Sequence, residues 1–521
     1  MTLVKRACLV TFGCQMNEYD SGRLGELLTA RGWVMTTDRD SADFIFFNTC
    51  SIREKAAKRV LNHLEQVRHL KKNNPDLIIA VGGCVAEQEG RALLERAPWL
   101  DLVVGPQHLP TIPDLLDRLI DQGRERTALT GSGDRPVWSR ENLSDLGLGR
   151  GERDGDGSTN RPFPHLTADD PEETAAMPAP ESDRRLLGSV TIMQGCDNYC
   201  AYCVVPFLRG PELSREAGDI LDEVKRLIGA GVQDLTLLGQ NVNSYGRNLP
   251  GAPCFPELLE MVAETGVSRL RFTTSHPKDF PPELVRLFGP LPALCESLHL
   301  PVRSGSDRVL QAMGRIYTRD SYLRLVDDLR AACPGLALTT DIIVGFPGES
   351  EADFLETMAL VEEVGFDAMF SFKYSDRPQT RAAEFEGKLS EEEKSRRLTY
   401  LQQRQKEITL AKNAAHAGHL LTVLVERVSE RYRGQLTGRA RNHKLVHFDG
   451  PAEFIGREVT VLITEGWAAS LRGRMVNSER TFPNKPLVVR EALGAENSMP
   501  GDQTGPRKKH GETAPHEGPE T

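Results

Sequence analysis

Nowhere do these 521 residues contain an unbroken apolar run near the ~20 residues that a bilayer-crossing helix needs. The opening residues offer no secretory leader either: Gly13, Gln15, Asn17 and Glu18 interrupt the first apolar stretch too early and too polar for one. The expectation is a soluble, cytoplasmic protein with no membrane partner. A basic excess is also missing, and the formal net charge of −10 argues at first sight against a nucleic-acid partner. Its distribution changes that reading. Residues 132–183 hold 12 acids and 5 arginines, residues 494–521 hold 5 acids and 3 bases, and the remainder is close to neutral. Cysteine is sparse, ten in all. A reducing cytosol argues against a disulfide framework for them and leaves metal or redox chemistry.

Three of the ten stand together as Cys196, Cys200 and Cys203, a C-x3-C-x2-C loop after the strand-like residues 189–194. Three thiolates so close in sequence can converge on one metal centre. A 4Fe-4S cluster usually takes four cysteines, so a three-cysteine loop leaves one iron open to a small molecule. A zinc site is the alternative, but closed structural zinc takes four nitrogen or sulfur ligands, and the loop holds no fourth.

The chain is too long for one core, and recurring helix and strand patterns make it mixed α/β. In residues 1–118, apolar runs at 7–12, 44–47, 77–81 and 102–104 read as buried parallel strands, with helices expected at 21–30 and 53–70. This predicts a small doubly wound parallel-sheet domain. Cys14, Cys50 and Cys84 each fall just past one of these strands, 36 and 34 residues apart. Ligands bind at the carboxyl ends of such strands, so the three can meet on one edge. A lone cysteine is more commonly a buried apolar thiol. Three at equivalent positions favour a second cluster, with Gly13, Gly82 and Gly83 allowing close backbone approach.

Residues 132–183, rich in Gly, Asp, Glu, Pro and Arg, read as a disordered acidic linker. Residues 184–413 repeat strand then helix, with strands expected at 190–194, 235–238, 270–274, 297–300, 337–344 and 368–372. They predict an incomplete (β/α)6 barrel with its chemistry at the carboxyl ends of the strands. Ser390 and Glu393 form a possible capping box for a connecting helix to about 413. Residues 414–482 read as a small β-barrel with strands at 420–425, 445–448 and 459–463. Arg431, Arg433, Arg439, Arg441 and Lys444 lie there in a 17-residue span without an acid. Such a turn suits phosphate contacts and base stacking; on composition alone a solvated charged hairpin fits equally well. Residues 494–521 read as a disordered tail. Cys8, Cys254, Cys295 and Cys333 read as buried apolar thiols.

These motifs together resemble the methylthiotransferase family of radical S-adenosylmethionine (radical SAM) enzymes over nearly all the folded length. Residues 11–17, 48–56 and 83–90 resemble its N-terminal domain. Residues 194–206, 239–245 and 340–349 resemble its radical SAM core, and residues 438–448 its RNA-binding TRAM domain. The resemblance implies that Cys196, Cys200 and Cys203 hold the [4Fe-4S] cluster that cleaves S-adenosylmethionine. It implies that Cys14, Cys50 and Cys84 hold an auxiliary [4Fe-4S] cluster carrying the sulfur to be inserted. The branch it resembles adds a methylthio group to C2 of N6-isopentenyladenosine (N6-dimethylallyladenosine) next to the anticodon of tRNA. By analogy Gln240, Asn241, Ser304, Gly345 and Gly348 line the S-adenosylmethionine pocket. Expected partners are tRNA carrying isopentenyladenosine, an electron donor such as flavodoxin and an iron-sulfur or sulfide source, with the enzyme a monomer. The sequence departs from the family at Arg303, where Gln is usual, at Pro211 in place of Arg, and at Gln379 in place of Gly. The alternatives are a sister enzyme acting on N6-threonylcarbamoyladenosine or a ribosomal-protein aspartate, and a non-catalytic RNA-binding iron-sulfur sensor.

Overall fold

In a computed structural model, which describes residues 4–51, 54–122, 125–131, 137–138, 166–167, 186–429 and 434–476, the early apolar runs form one parallel sheet. Its order places Val34–Met35 beside Arg6–Thr11, then Phe44–Thr49, Ile78–Gly83, Leu102–Val104 and Thr127–Leu129. Strands Phe44–Thr49 and Ile78–Gly83 are buried along their whole length, as a sheet covered by helices on both faces requires. The three strands that precede Cys14, Cys50 and Cys84 are consecutive neighbours in this sheet. The sequence reading starts the first helix too late. It spans Gln15–Ala30, directly after Cys14, and its first turns carry Asn17, Asp20 and Ser21 turned into the protein, which hides the apolar periodicity.

The linker reading of 132–183 needs correction at four residues, the rest of the stretch lying outside the described residues. Val137 and Trp138 are buried, with Trp138 Nε1 donating to Asp20 at 2.9 Å and Val137 N to Gln194 at 2.8 Å. Leu166–Thr167 pairs in parallel with the end of Arg6–Thr11. The insert is therefore tied to both folded neighbours. The expected tail at 494–521 lies outside the described residues.

Among the described residues, the barrel strands are Leu187–Thr191, Asp234–Leu238, Arg269–Phe272, Ser297–His299, Ala337–Val344 and Ala368–Lys373, every sheet pairing parallel. They form two three-stranded sheets joined by a single parallel bridge between Leu270 and Leu294. An apolar core that includes Val190, Leu235, Leu270, Leu298, Leu338 and Phe366 fills the wall behind them. The capping box at Ser390 is half present: its side chain accepts from Glu393 N at the start of the helix Glu391–Ala414.

The C-terminal barrel is closed by Leu420–Val428, Gln435–Ala440, Leu445–Asp449, Leu471–Met475 and Glu458–Gly466. Two of these strands are absent from the sequence reading. Gln435–Ala440 carries Gly438, which looks like a strand breaker, but a Cβ there would lie 2.2 Å from Leu424 O. The barrel rests against the amino ends of the larger barrel's strands. Gln233 donates to Gly456 O at 2.7 Å, and Arg269, fully buried, reaches Glu458, Arg439 O and Thr422 O. Arg271 is held by Asp234 and donates to Arg441 O at 2.7 Å.

Candidate active site

The N-terminal cysteines sit where strands become helices. Cys14 is the N-cap of Gln15–Ala30, Cys84 opens Cys84–Glu89, and Cys50 follows Thr49. Gly13 has φ +117°, and a Cβ on it would lie 2.2 Å from Cys50 Cβ. Gly83, at φ +86°, would clash with Thr49 O at 2.4 Å. Only glycine lets these turns close so tightly. A hydrogen bond with Cys50 is the main reason the Cys14 thiol falls to about 6, against burial and helped by Arg209. Burial pushes Cys84 up, although Arg209 hydrogen-bonds it. Arg209 is itself buried, donating to Asp20 at 2.9 Å and Asn17 at 3.1 Å.

Arg209 comes from the other triad's element. An antiparallel pair, Met193–Gln194 with Leu213–Ser214, closes the excursion that carries Cys196, Cys200 and Cys203. At its neck a Cβ on Gly195 would lie 1.7 Å from Pro211 O. Asn198 donates to Cys196 Sγ at 3.5 Å. Ala201 N is fixed by Met313 O at 2.8 Å, and Ala201 O accepts from Ala382 N. Burial raises Cys196 to about 12 and Cys203 to about 11. The helix Val205–Arg209 follows at once, and Val204 and Leu208 pack against Cys84 of the first triad. The first triad thus packs, through Cys84, on the residues that leave the second.

Among the described residues, no three Cys, His, Asp or Glu side chains converge tightly enough to hold a single metal ion. In a 4Fe-4S cluster each cysteine binds a different iron, so its ligands stand farther apart.

Among the described residues, several of the buried polar atoms that lack partners gather at the carboxyl ends of the barrel strands. Gln240 Oε1, Asn241 Oδ1, both amide atoms of Asn243, Ser275 Oγ and the Nε atoms of Arg303 and Arg315 are buried without a hydrogen-bond partner. Native proteins keep few such groups, so a cluster of them fits a site built for a polar ligand such as S-adenosylmethionine. Asn241 is oriented by Asp279 at 2.9 Å. The other sequence-predicted pocket residues are engaged within the chain. Ser304 Oγ bonds Thr357 and accepts from Ser306 N. Gly345 N donates to Glu349, and Gly348 N to Gly387 O. These three shape the turn and offer no free donor there. Arg303, at φ +79°, pairs with Asp341 at 3.0 Å and lies 5.8 Å from the Tyr202 ring centre. Burial would raise Asp341, but Arg303 and His299 outweigh it and hold the carboxylate low. His276 is kept neutral by burial and by Arg315, Lys278 and Arg303. The roles of Arg209 and Arg315 left no mark in the sequence, whereas His276 stands in a polar run, residues 275–277, at the carboxyl end of a predicted strand.

The expected RNA contacts divide. Arg431 and Arg433 lie outside the described residues. Arg439 Nη1 donates to both carboxylate oxygens of Glu426, at 3.0 and 2.9 Å. Arg441 grips Glu296, Pro292 O and Leu294 O, and Lys444 pairs with Asp367 at 2.8 Å. The run without acids in sequence meets its acids in space, and two of its cations dock the small barrel. Of the four remaining cysteines Cys8, Cys295 and Cys333 are buried, but Cys254 is exposed, because it caps the helix Phe255–Ala263 at the surface.

Comparison with known proteins agrees with this arrangement. Residues 6–105 match the uncharacterized protein family UPF0004, residues 190–361 the radical SAM superfamily and residues 416–476 the TRAM domain. Among solved structures, the radical S-adenosylmethionine methyltransferase TsrM from Kitasatospora setae shares the fold, with TM-score 0.50 and 16% identity over 73% of this chain and 75% of that one. The chain is a radical SAM protein. Its relatives narrow the class further: it is 44% identical over 468 residues to the tRNA-2-methylthio-N(6)-dimethylallyladenosine synthase of Syntrophobacter fumaroxidans, covering 90% of this chain and 95% of that protein. To the synthase of the same name from Pelobacter propionicus it is 46% identical over 467 residues, 89% and 98% of the two chains. The chain belongs to the tRNA-2-methylthio-N(6)-dimethylallyladenosine synthase family of radical SAM methylthiotransferases.

Proposed function

We propose that this protein adds a methylthio group to C2 of N6-isopentenyladenosine next to the anticodon of tRNA. The observation that carries the reading is the contact of Cys84, in the first triad, with Val204 and Leu208, which directly follow the second triad in sequence. Cys196, Cys200 and Cys203 hold the cluster that binds S-adenosylmethionine, and Cys14, Cys50 and Cys84 hold the auxiliary cluster. With both groups bound, the first supplies the radical that an unactivated aromatic C–H bond demands and the second the sulfur.

The chain's own residues supply placement. Arg209 ties the cluster loop to Asn17 and Asp20, so neither triad moves without the other. Gln240, Asn241, Asn243 and Ser275 offer their unpaired atoms to the polar ends of the bound nucleoside and amino acid. Neutral His276 donates or accepts a hydrogen bond without adding charge. No helix among the described residues is long and apolar enough to cross a membrane, which accords with work on tRNA in the cytoplasm. The enzyme acts as a monomer, takes electrons from a low-potential donor such as flavodoxin and is resupplied by an iron-sulfur or sulfide source.

The test is mass spectrometry of tRNA nucleosides after anaerobic incubation of reconstituted protein with S-adenosylmethionine, a reductant and isopentenylated tRNA. A methylthio mark on isopentenyladenosine is the expected result. Cleavage of S-adenosylmethionine with that nucleoside unchanged defeats the substrate assignment and turns attention to threonylcarbamoyladenosine and the ribosomal-protein aspartate. No cleavage with iron bound at both sites defeats the enzyme.

A further inference from the structure

The segment that closes over the cysteine loop contains a cation with no role in the reaction above. Arg315 follows the short helix Asp307–Ala312 and is 6% exposed. Its Nη2 donates to Pro301 O at 3.3 Å, and its guanidinium lies 5.5 Å from the Tyr317 ring centre. Its Nε has no partner among the described residues, and no carboxylate among them stands within ion-pair distance of it; Asp341, already paired with Arg303, acts on it only from farther away. The other deeply buried arginines differ. Arg209 has Asp20, Arg215 has Glu223, Arg271 has Asp234 and Arg397 has Glu349. A buried charge without an opposite one is expensive, and persists where something else compensates it.

The compensation lies at the cysteine loop. Met313 O accepts from Ala201 N at 2.8 Å, and a Cβ on Gly314 would stand 3.9 Å from Cys200 Cα. Residues 313–315 are thus laid directly on the loop. Cys200 and Cys203 are among the groups that favour the charged guanidinium. Arg303, 5.8 Å from the Tyr202 ring centre, has its own carboxylate in Asp341. His276 is neutral, and Lys278 sits 3.9 Å from Asp279. Arg381 also reaches the loop, donating to Tyr199 O at 3.2 Å, but it is exposed; Arg315 is the buried cation left without an ion pair beside the three thiolates.

We propose that Arg315 is the fixed counter-cation of the loop formed by Cys196, Cys200 and Cys203, a positioning residue that makes a cluster held there easier to reduce. The proposal rests on the assignment of this loop as a 4Fe-4S site. Reduction brings one electron from a low-potential donor, with no bond made or broken and no proton taken up. It adds negative charge to a centre that three thiolates already make anionic. A guanidinium fixed nearby stabilises the reduced state more than the oxidised one, and it needs no reorganisation to do so because it stays protonated.

The experiment compares full-length wild-type protein with Arg315→Gln and Arg315→Lys, each reconstituted anaerobically and titrated with reductant under electron paramagnetic resonance. The loop's cluster is identified as the signal that changes when S-adenosylmethionine is added; the auxiliary cluster serves as reference. Arg315→Gln is expected to lower the reduced-to-oxidised ratio of the loop's cluster about tenfold at a fixed potential, which is about 59 mV for one electron. Arg315→Lys restores most of it, and the auxiliary signal does not move. Equal midpoints for Arg315→Gln and wild type overturn the proposal, as does an equal shift in both variants or a joint shift of both clusters. Should Arg315→Gln lose iron from the loop alone, retention by Arg315→Lys supports the counter-cation and loss by both variants overturns it. Failure of the reading beneath it is visible separately, as a wild-type loop that binds no cluster.

Discussion

Gly195 tolerates no side chain, because it has φ +76° and its missing Cβ would fall inside contact distance of the Pro211 carbonyl. Gly195→Ala is expected to spread the antiparallel neck that closes the cysteine loop. Strain of this kind costs about 1–3 kcal/mol before the clash is added. The reconstituted variant should bind about half the wild-type iron, with the auxiliary site still filled, as measured by iron analysis and absorbance. Arg209 poses a different question. Its removal strands Asp20 in the interior, and a buried pair broken on one side loses about 3–5 kcal/mol. Arg209→Ala should lower the melting temperature of the apoprotein, whereas Arg209→Lys should recover part of the loss. Single residues are also where the sequence is least informative about this protein. Six cysteines are legible because their spacing carries the geometry of a loop and of a βαβ repeat. An arginine carries no such mark: Arg209, Arg303 and Arg315 acquire their meaning from burial, and burial is set by partners far away in the chain.

At the scale of elements, the joint between the large barrel and the small one is built from charge. Asp367 precedes the last strand of the large barrel and takes Lys444 from the small one at 2.8 Å and Lys412 from the connecting helix at 2.7 Å. Burial alone would raise its pKa, but Lys444 and Lys412 outweigh that and hold the carboxyl below its ordinary value. A carboxyl depressed in the folded state contributes stability that is complete above its unfolded pKa of about 3.9 and disappears as pH falls through the folded value. The protection factors of the strands Leu420–Val428 and Glu458–Gly466, hydrogen exchange taken relative to the intrinsic rate at each pH, should therefore be flat from neutrality to about pH 5 and fall below about pH 4. Asp367→Asn should remove this dependence and raise exchange at neutral pH. The central strands of the parallel sheets, such as Phe44–Thr49 and Ile78–Gly83, were readable as short apolar runs, since both of their faces are covered; the short strands Val34–Met35 and Thr127–Leu129 were not. Gln435–Ala440 was not, because a strand of a small barrel exposes one face, and its other face carries the glycine that close packing demands.

Taken as a whole molecule, the chain separates two tasks that its cysteines make independently testable. Cys196→Ala should abolish cleavage of S-adenosylmethionine and methylthio transfer alike, with the auxiliary iron retained. Cys14→Ala should leave reductive cleavage of S-adenosylmethionine within a few-fold of wild type while transfer to tRNA is lost, as read by counting 5′-deoxyadenosine and modified nucleoside in the same reaction. The order of the three folded domains could be read from composition and motif, but their mutual placement could not. It depends on Arg269 and Arg271, two arginines inside a short barrel strand, which reach main-chain carbonyls of a domain some 170 residues further on.

That placement has a geometrical corollary. The small β-barrel meets the amino ends of the strands, while both cysteine triads lie beyond the carboxyl ends. The strands between, such as the 5-residue Asp234–Leu238, span about 17 Å at ~3.3 Å per residue. An RNA held by the small barrel has to run alongside that wall before its base turns into the opposite mouth. The enzyme is then a caliper, whose fixed jaws select a base by how far it stands from the grip as well as by what it is.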